Sequence, residues 1–265
     1  MGVLNVTPDS FTDGGRYELV DKAVARARFL MAAGATMVDV GAESTRPGAP
    51  PVSAKEQLRR ALPVVESLAA DMPITIDTTS AEVAAACLFA GAIAINDVAC
   101  GASNALGEAA AQFNAGYILS HARSGQDAMG DFGAWPESGY ADVTTEVLAE
   151  LKIARERLVR CGVREAAIVF DPGLGFTKSY LQSARLLSQI AAFTEVALVL
   201  VGASRKSFLT LATGAISPAE RLPASLASAL WARRHGAAMV RVHDVGETAQ
   251  AFAMEQLLAR GGPDV

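Results

Sequence analysis

Eight short runs of aliphatic and β-branched residues recur along the chain, at 2–7, 36–42, 73–79, 92–99, 115–122, 166–172, 196–204 and 237–244. The stretches between them, such as YELVDKAVARARFLMAAG, SAKEQLRRALPVVESLAA and TTEVLAELKIARERLVRCG, combine helix-favouring residues with helical apolar spacing, and glycine often closes them. Runs this apolar predict strands buried on both faces, as in a parallel sheet. Eight alternating strand and helix units with no Pro/Ser-rich linker predict a closed α/β architecture, a (β/α)8 TIM barrel forming one domain over 1–265. An open doubly wound sheet is the alternative, but no GxGxxG follows the first strand to suggest one. A length of 265 residues with 51% hydrophobic content supplies the core that a single barrel needs.

The net charge of −5 argues against a general nucleic-acid or membrane surface and leaves room for a local pocket that takes a small anion. The three cysteines are odd in number and widely spaced, which predicts neither a disulfide framework nor a zinc site and fits a reducing compartment. There is no basic start followed by an apolar signal core and no long uninterrupted apolar span. A soluble, cytoplasmic protein is expected.

Polar residues gather at one end of every run. They are Asn5 and Thr7; Glu43, Ser44, Thr45 and Arg46; Asp77; Asn96 and Asp97; Ser120 and His121; Asp171; Ser204, Arg205, Lys206 and Ser207; and Arg241, His243 and Asp244. All are C-terminal ends, which share one mouth in a parallel barrel. Helix capping or a solvated ion pair explains any one of them, most readily Asp39 within the second strand, Asp97 and Asp244. It does not explain the whole set, because capping needs one residue per loop and recruits no cations.

Asp77, Asn96 and Asp171 match a flat heterocycle with adjacent N–H groups, since a carboxylate accepts two parallel hydrogen bonds from a guanidine-like edge. Arg46, Lys206, Arg241 and His243, with the hydroxyls of Thr45 and Ser207, suit a phosphate or carboxylate. No thiol lies near a base and no Ser-His-Asp order is apparent, so covalent catalysis has little support, and His121 and His243 are too few for a histidine metal site. Binding and electrostatics must carry the rate. Loss of a pyrophosphate group, helped by cations and Mg²⁺ with an uncharged nucleophile held nearby, is a reaction of that kind.

The motifs LNVTPDSFTDGG, VDVGAESTRPGA, IDTTSAEVA, GAIAINDVACG, DPGLGF, VGASRKSF and VRVHDVGET, in this order, closely resemble the dihydropteroate synthase family from Met1 to about residue 256. The resemblance implies condensation of 6-hydroxymethyl-7,8-dihydropterin pyrophosphate with p-aminobenzoate to give 7,8-dihydropteroate and pyrophosphate. It implies a pterin set of Asp77, Asn96, Asp171, Lys206 and Arg241, and pyrophosphate contacts from Asn5, Thr45, Arg46, Arg241 and His243. Thr45, Arg46, Pro47, Phe176, Lys206 and Ser207 correspond to the aminobenzoate pocket, Asn5 to the Mg²⁺ contact, and Asn5, Arg46, Asp77 and Lys206 to the catalytic group. By the same resemblance, loops 7–15 and 45–48 fold over the mouth once substrate is bound, glycines permitting the movement and closure excluding water. The family carries residues ahead of the first motif, so a shortened or late start is expected here. It usually forms dimers, and AERLPASLASALWARRHG carries Leu222, Leu226, Leu230 and Trp231 at spacings suited to covering the barrel or a second subunit.

Some positions depart from the family pattern. SHARSGQ stands where a Met-His-Met-Gln-Gly type stretch is common, so Ser120 replaces part of an apolar pterin wall and Ala122 and Arg123 follow. Ser80 stands where Lys is frequent, and Ser183 and Ala184 where Asn is. A pterin-binding paralogue without synthase activity and a pterin-dependent methyltransferase are the competing readings, the latter having no need of STRPGA or SRKSF.

Overall fold

The computed structural model describes residues 1–7, 16–43, 52–123, 135–214 and 217–261. Eight strands alternate with helices along them: β1 (Gly2–Asn5), α1 (Arg16–Ala32), β2 (Val38–Gly41), α2 (Ala54–Leu68), β3 (Ile74–Asp77), α3 (Ala81–Phe89), β4 (Ala94–Asp97), α4 (Asn104–Gln112) and β5 (Gly116–Ser120). The second half runs α5 (Val143–Arg160), β6 (Ile168–Asp171), α6 (Tyr180–Ser188), α7 (Ala191–Thr194), β7 (Leu198–Val201), α8 (Thr210–Thr213), α9 (Leu222–Arg234), β8 (Met239–Val240) and α10 (Val245–Ala259). Every strand lies inside its expected run and is shorter than it, because regular pairing stops where the chain turns outward into a loop.

The strands pair in parallel in sequence order from β1 to β8. The last returns to the first: Gly2 bridges Val242 in parallel, Val3 N–H donates to Val242 O at 3.0 Å and Val242 N–H to Met1 O at 3.0 Å. Those bonds close the cylinder and exclude the open sheet.

Local chemistry fixes where helices begin and end. Ser53, Ser80, Ser103, Asp142 and Ser179 each accept a backbone N–H in the first turn of α2, α3, α4, α5 and α6. Ser80, singled out above as a departure, is thus the cap of α3. Gly91 (φ 107°) and Gly162 (φ 98°) stop α3 and α5 in the left-handed region that a side chain would strain.

Strand residues alternate between two apolar environments. Leu4, Ile76, Ile95, Leu119 and Phe170 face the helices in the main core. Met1, Ile118, Val169 and Leu200, with Met37 and Met239 against them, come from strands on different sides and meet inside the cylinder as an apolar plug. Two residues further along the same strands, the inward positions turn polar, as at Ser120 and Asp171. The barrel is therefore dry at its base and charged at its mouth.

Candidate active site

Asp39 on β2 and Asp77 at the end of β3 are both buried, and Arg241, just past β8, bridges them. Its Nε donates to Asp39 Oδ2 at 2.6 Å and its Nη2 to Asp77 Oδ2 at 2.9 Å. Asp39 also accepts Asn96 Nδ2–H at 3.0 Å and the Thr75 hydroxyl. From sequence, Asp39 is among the residues that capping or an ion pair explains most readily. Instead it is the acceptor around which Asn96 and Arg241 are arranged. The signal was its parity, two residues before the inward-facing Gly41, and the cost of a carboxylate in an apolar strand without partners.

Asp171 ends β6 with both oxygens engaged: Gly173 N–H donates to Oδ1 at 2.8 Å and the Ser120 hydroxyl to Oδ2 at 3.1 Å. Two glycines measure how tightly the set converges. A Cβ on Gly202 would lie 3.9 Å from each of Asp171 Oδ2, Lys206 Nζ and Arg241 Cβ. One on Gly41 would lie 3.6 Å from Asn5 Oδ1 and 3.7 Å from Asp77 Oδ2. Asn5, Asp77, Asn96, Asp171, Lys206 and Arg241 thus meet at one rim, drawn from six strand ends over more than two hundred positions of sequence.

The electrostatics follow from that crowding. Burial pushes Asp77 up to about 7; Arg241 opposes the shift, and the Asp39 charge that shares the same guanidinium adds to it. Burial draws Lys206 down to about 8, with Asp171 pulling the other way. Lys206 Nζ donates to Leu174 O and lies 4.4 Å from the centre of the Phe176 ring. Phe176 is buried against Val98 and Ala122, so Ala122 of the SHARSGQ stretch forms part of an apolar wall. Ser207 follows Lys206 into a single 3₁₀ turn, Ser207–Leu209, whose Ser207 carbonyl accepts the Thr210 hydroxyl. At the β7–β8 rim, His243 N–H donates to Ser204 Oγ at 3.2 Å, and that oxygen lies 3.1 Å from His243 Nδ1.

Several of the polar strand-end residues do not join the mouth. Asp97 accepts Ala99 N–H, Gly101 N–H and the Tyr117 hydroxyl, and so holds its own loop. Asp244 pairs with Arg205, whose Nε donates to it at 2.9 Å. His121 turns to the helix side, with Nε2 at 2.8 Å from Glu150 Oε2 on α5. Each directly follows an inward-facing residue or is one step out of phase with one, which puts it on the other face. Glu43 accepts Val52 N–H at 2.8 Å and Gln57 Nε2–H at 3.1 Å, which ties it to the start of α2. Thr45, Arg46, Pro47 and the 8–15 segment lie outside the described residues.

The family model for "Pterin binding enzyme" matches residues 1–243. Dihydropteroate synthase of Bacillus subtilis (strain 168) is 37% identical over 268 residues, covering 99% of this chain and 89% of that protein. The Escherichia coli (strain K12) dihydropteroate synthase is 40% identical over 258 residues, with 95% and 88% covered. The chain belongs to the dihydropteroate synthase family.

Solved dihydropteroate synthases have the same fold. The Xanthomonas albilineans enzyme with 4-aminobenzoic acid superposes with a TM-score of 0.89 at 37% identity, covering 98% of this chain and 92% of that one. The Burkholderia cenocepacia enzyme complexed with 7,8-dihydropteroate gives 0.86 at 36% identity, with 98% and 91% covered. Ser120, one of the departures from the family pattern, donates its hydroxyl to Asp171. Ser183, the other departure, accepts Gly175 N–H at 3.0 Å and donates to Ser179 O at 2.8 Å, so it holds the loop after β6.

Proposed function

We propose that the domain, 1–265, condenses 6-hydroxymethyl-7,8-dihydropterin pyrophosphate with p-aminobenzoate to give 7,8-dihydropteroate and pyrophosphate. The observation that carries this is the bipolar rim: carboxylates of Asp77 and Asp171 with the Asn96 amide, against the cations Lys206 and Arg241. Asp77, Asn96 and Asp171 accept and donate along the guanidine-like edge of the pterin, which Arg241 and Lys206 flank. Phe176, Lys206 and Ser207, with Thr45, Arg46 and Pro47, take the aminobenzoate. Arg241, His243, Thr45, Arg46 and Asn5 receive the pyrophosphate.

In the reaction the bond from the pterin methylene carbon to pyrophosphate oxygen breaks. The neutral aminobenzoate nitrogen bonds to that carbon and releases a proton to solvent. This chain's residues orient the two reactants and stabilise the growing negative charge on the leaving group. Mg²⁺, when bound, neutralises that charge further. Asn5 would hold it, and one neutral oxygen suits a hard cation that takes its other ligands from phosphate and water. Among the described residues there is no group of three or more His, Cys, Asp or Glu that could hold a metal ion.

A homodimer in the cytoplasm fits the family. On α9 the face packed against the barrel is Ser225, Ser228, Ala229 and Ala232, leaving Leu222, Leu226 and Leu230 half-buried and Trp231 exposed. Among the described residues no helix is long and apolar enough to cross a membrane.

Incubation with pterin pyrophosphate, p-aminobenzoate and Mg²⁺, following pyrophosphate and dihydropteroate separately, tests the reading. Both products are expected. Pyrophosphate without dihydropteroate, or neither, overturns it in favour of a pterin-binding paralogue.

A further inference from the structure

Behind the Phe176 wall lies a charged group that the chemistry above does not use. Lys178 is fully buried, and its Nζ lies 2.9 Å from Phe176 O, 3.2 Å from His121 O and 2.9 Å from His121 Nδ1. Three acceptors thus face the three protons of one ammonium. With Nδ1 turned to that ammonium, the imidazole proton belongs on Nε2, where Glu150 Oε2 accepts it at 2.8 Å. Burial holds the ring neutral, its pKa lowered to about 4, and draws the Lys178 ammonium down to about 7. The charge on Lys178 is answered first by Asp171 and, through the neutral ring, by Glu150, which is one-third exposed on α5 and also pairs with Arg123. Burying an ammonium in this way is costly, so its effect on its neighbours matters.

Those neighbours form a strained turn. Gly173 (φ 67°), Gly175 (φ 83°) and Thr177 (φ 47°) are all left-handed, and Thr177 is β-branched, so its backbone would relax if released. Besides those of Lys178 and Lys206, the bonds that hold the turn are Phe176 N–H to Gly173 O, Gly173 N–H to Asp171 Oδ1, Gly175 N–H to Ser183 Oγ, Arg123 N–H to Thr177 Oγ1 and the Tyr140 hydroxyl to Thr177 O. Its product is a placement. Leu174 O and the Phe176 ring, both on this turn, cradle the Lys206 ammonium.

We propose that Lys178 is a positioning residue for the aminobenzoate subsite: its ammonium pins the strained 173–177 turn to the end of β5, and so fixes the Phe176 ring. This rests on the proposed function. A displacement well under an ångström at a packed wall weakens most the substrate that lies on it; at the pterin edge Asp77 and Asn96, on other strands, keep their partners, and Asp171, which the turn reaches through Gly173 N–H, keeps the Ser120 hydroxyl.

The test compares Lys178→Met and Glu150→Gln with the parent. It uses steady-state assays varying p-aminobenzoate, together with direct titration of pterin pyrophosphate in its absence. Lys178→Met is expected to raise the aminobenzoate KM about tenfold and to move pterin affinity by less than about threefold. Glu150→Gln, on a partly exposed helix, is expected to shift the aminobenzoate KM in the same direction by about threefold, since Lys178 loses one of the charges that answer it and Asp171 remains. An unchanged aminobenzoate KM, or equal losses for both substrates, overturns the assignment. Should Lys178→Met fail to fold, Glu150→Gln is read beside Arg123→Gln, which loses the ion pair to Glu150 and keeps the Lys178–His121 contact: a rise in the aminobenzoate KM in the first alone supports the assignment, and an equal rise in both overturns it. A parent enzyme that forms no dihydropteroate would instead refute the proposed function and leave this comparison without its readout, so the two failures are distinguishable.

Discussion

A carboxylate in the middle of an apolar strand is tolerated only with partners, and Asp39 has Thr75, Asn96 and Arg241. Asp171 shows the same economy in a smaller form. One of its oxygens is held by a backbone N–H and the other by Ser120, so its carboxylate plane is set before any ligand arrives. Ser120→Ala removes one hydrogen bond to a charged group, worth roughly 1.5–3 kcal/mol, and frees the carboxylate to rotate. The expected outcome is a pterin pyrophosphate KM raised about tenfold at an unchanged aminobenzoate KM. Steady-state kinetics with each substrate varied in turn check it. A variant with parental pterin KM would mean that Gly173 N–H suffices to orient Asp171.

At the level of elements, the sequence made the strands and most of the mouth legible because the signal was redundant: eight apolar runs, each ending in polar residues on the same side. What it left open was the face on which each side chain would lie. Asn96 and Asp97, Ser120 and His121, and His243 and Asp244 are adjacent in sequence, and in each pair the structure sends one inward and the other to the helix side. Parity counted from a secure inward residue separates them, but the secure residue had to come from the barrel. Lys178 was illegible for another reason, since nothing in DPGLGFTKSY distinguishes a buried lysine from a solvated one. Helix starts were the clearest local feature. Ser179 and Gln182 form a reciprocal capping box on α6, Gln182 N–H donating to Ser179 Oγ at 3.1 Å and Ser179 N–H to Gln182 Oε1 at 2.8 Å. Ser179→Ala is expected to cost about 1–2 kcal/mol, seen as a lower urea midpoint at constant slope. Because α6 also carries Ser183 against Gly175, the loss should be accompanied by a weaker aminobenzoate KM, whereas a cap on α4 such as Ser103, far from that turn, should cost stability alone.

Across the whole molecule, buried groups set opposed pH dependences, burial raising Asp77 and Asp97 and lowering His121. Asp77 is raised from 3.8 to about 7 by burial, so between those values the folded chain holds a proton that the unfolded chain has lost. Its contribution is complete at low pH and is lost as pH rises through 7. His121 is lowered from 6.5 to about 4, also by burial, so the unfolded chain holds the extra proton between those values. Its contribution is complete above 6.5 and is lost as pH falls towards 4. The Asp77 effect is on the order of 4 kcal/mol and the His121 effect on the order of 3 kcal/mol over their full windows, and between pH 5 and 6.5 they have opposite slopes. The parent is therefore expected to vary less in stability over that range than a variant lacking one of the two groups. Asp77→Asn should uncover the histidine, giving stability that rises with pH, and His121→Gln should uncover the aspartate, giving stability that falls. Urea unfolding at half-unit steps of pH measures both slopes. Two variants sharing the parent's profile would show that neither buried group changes its protonation on folding in this range.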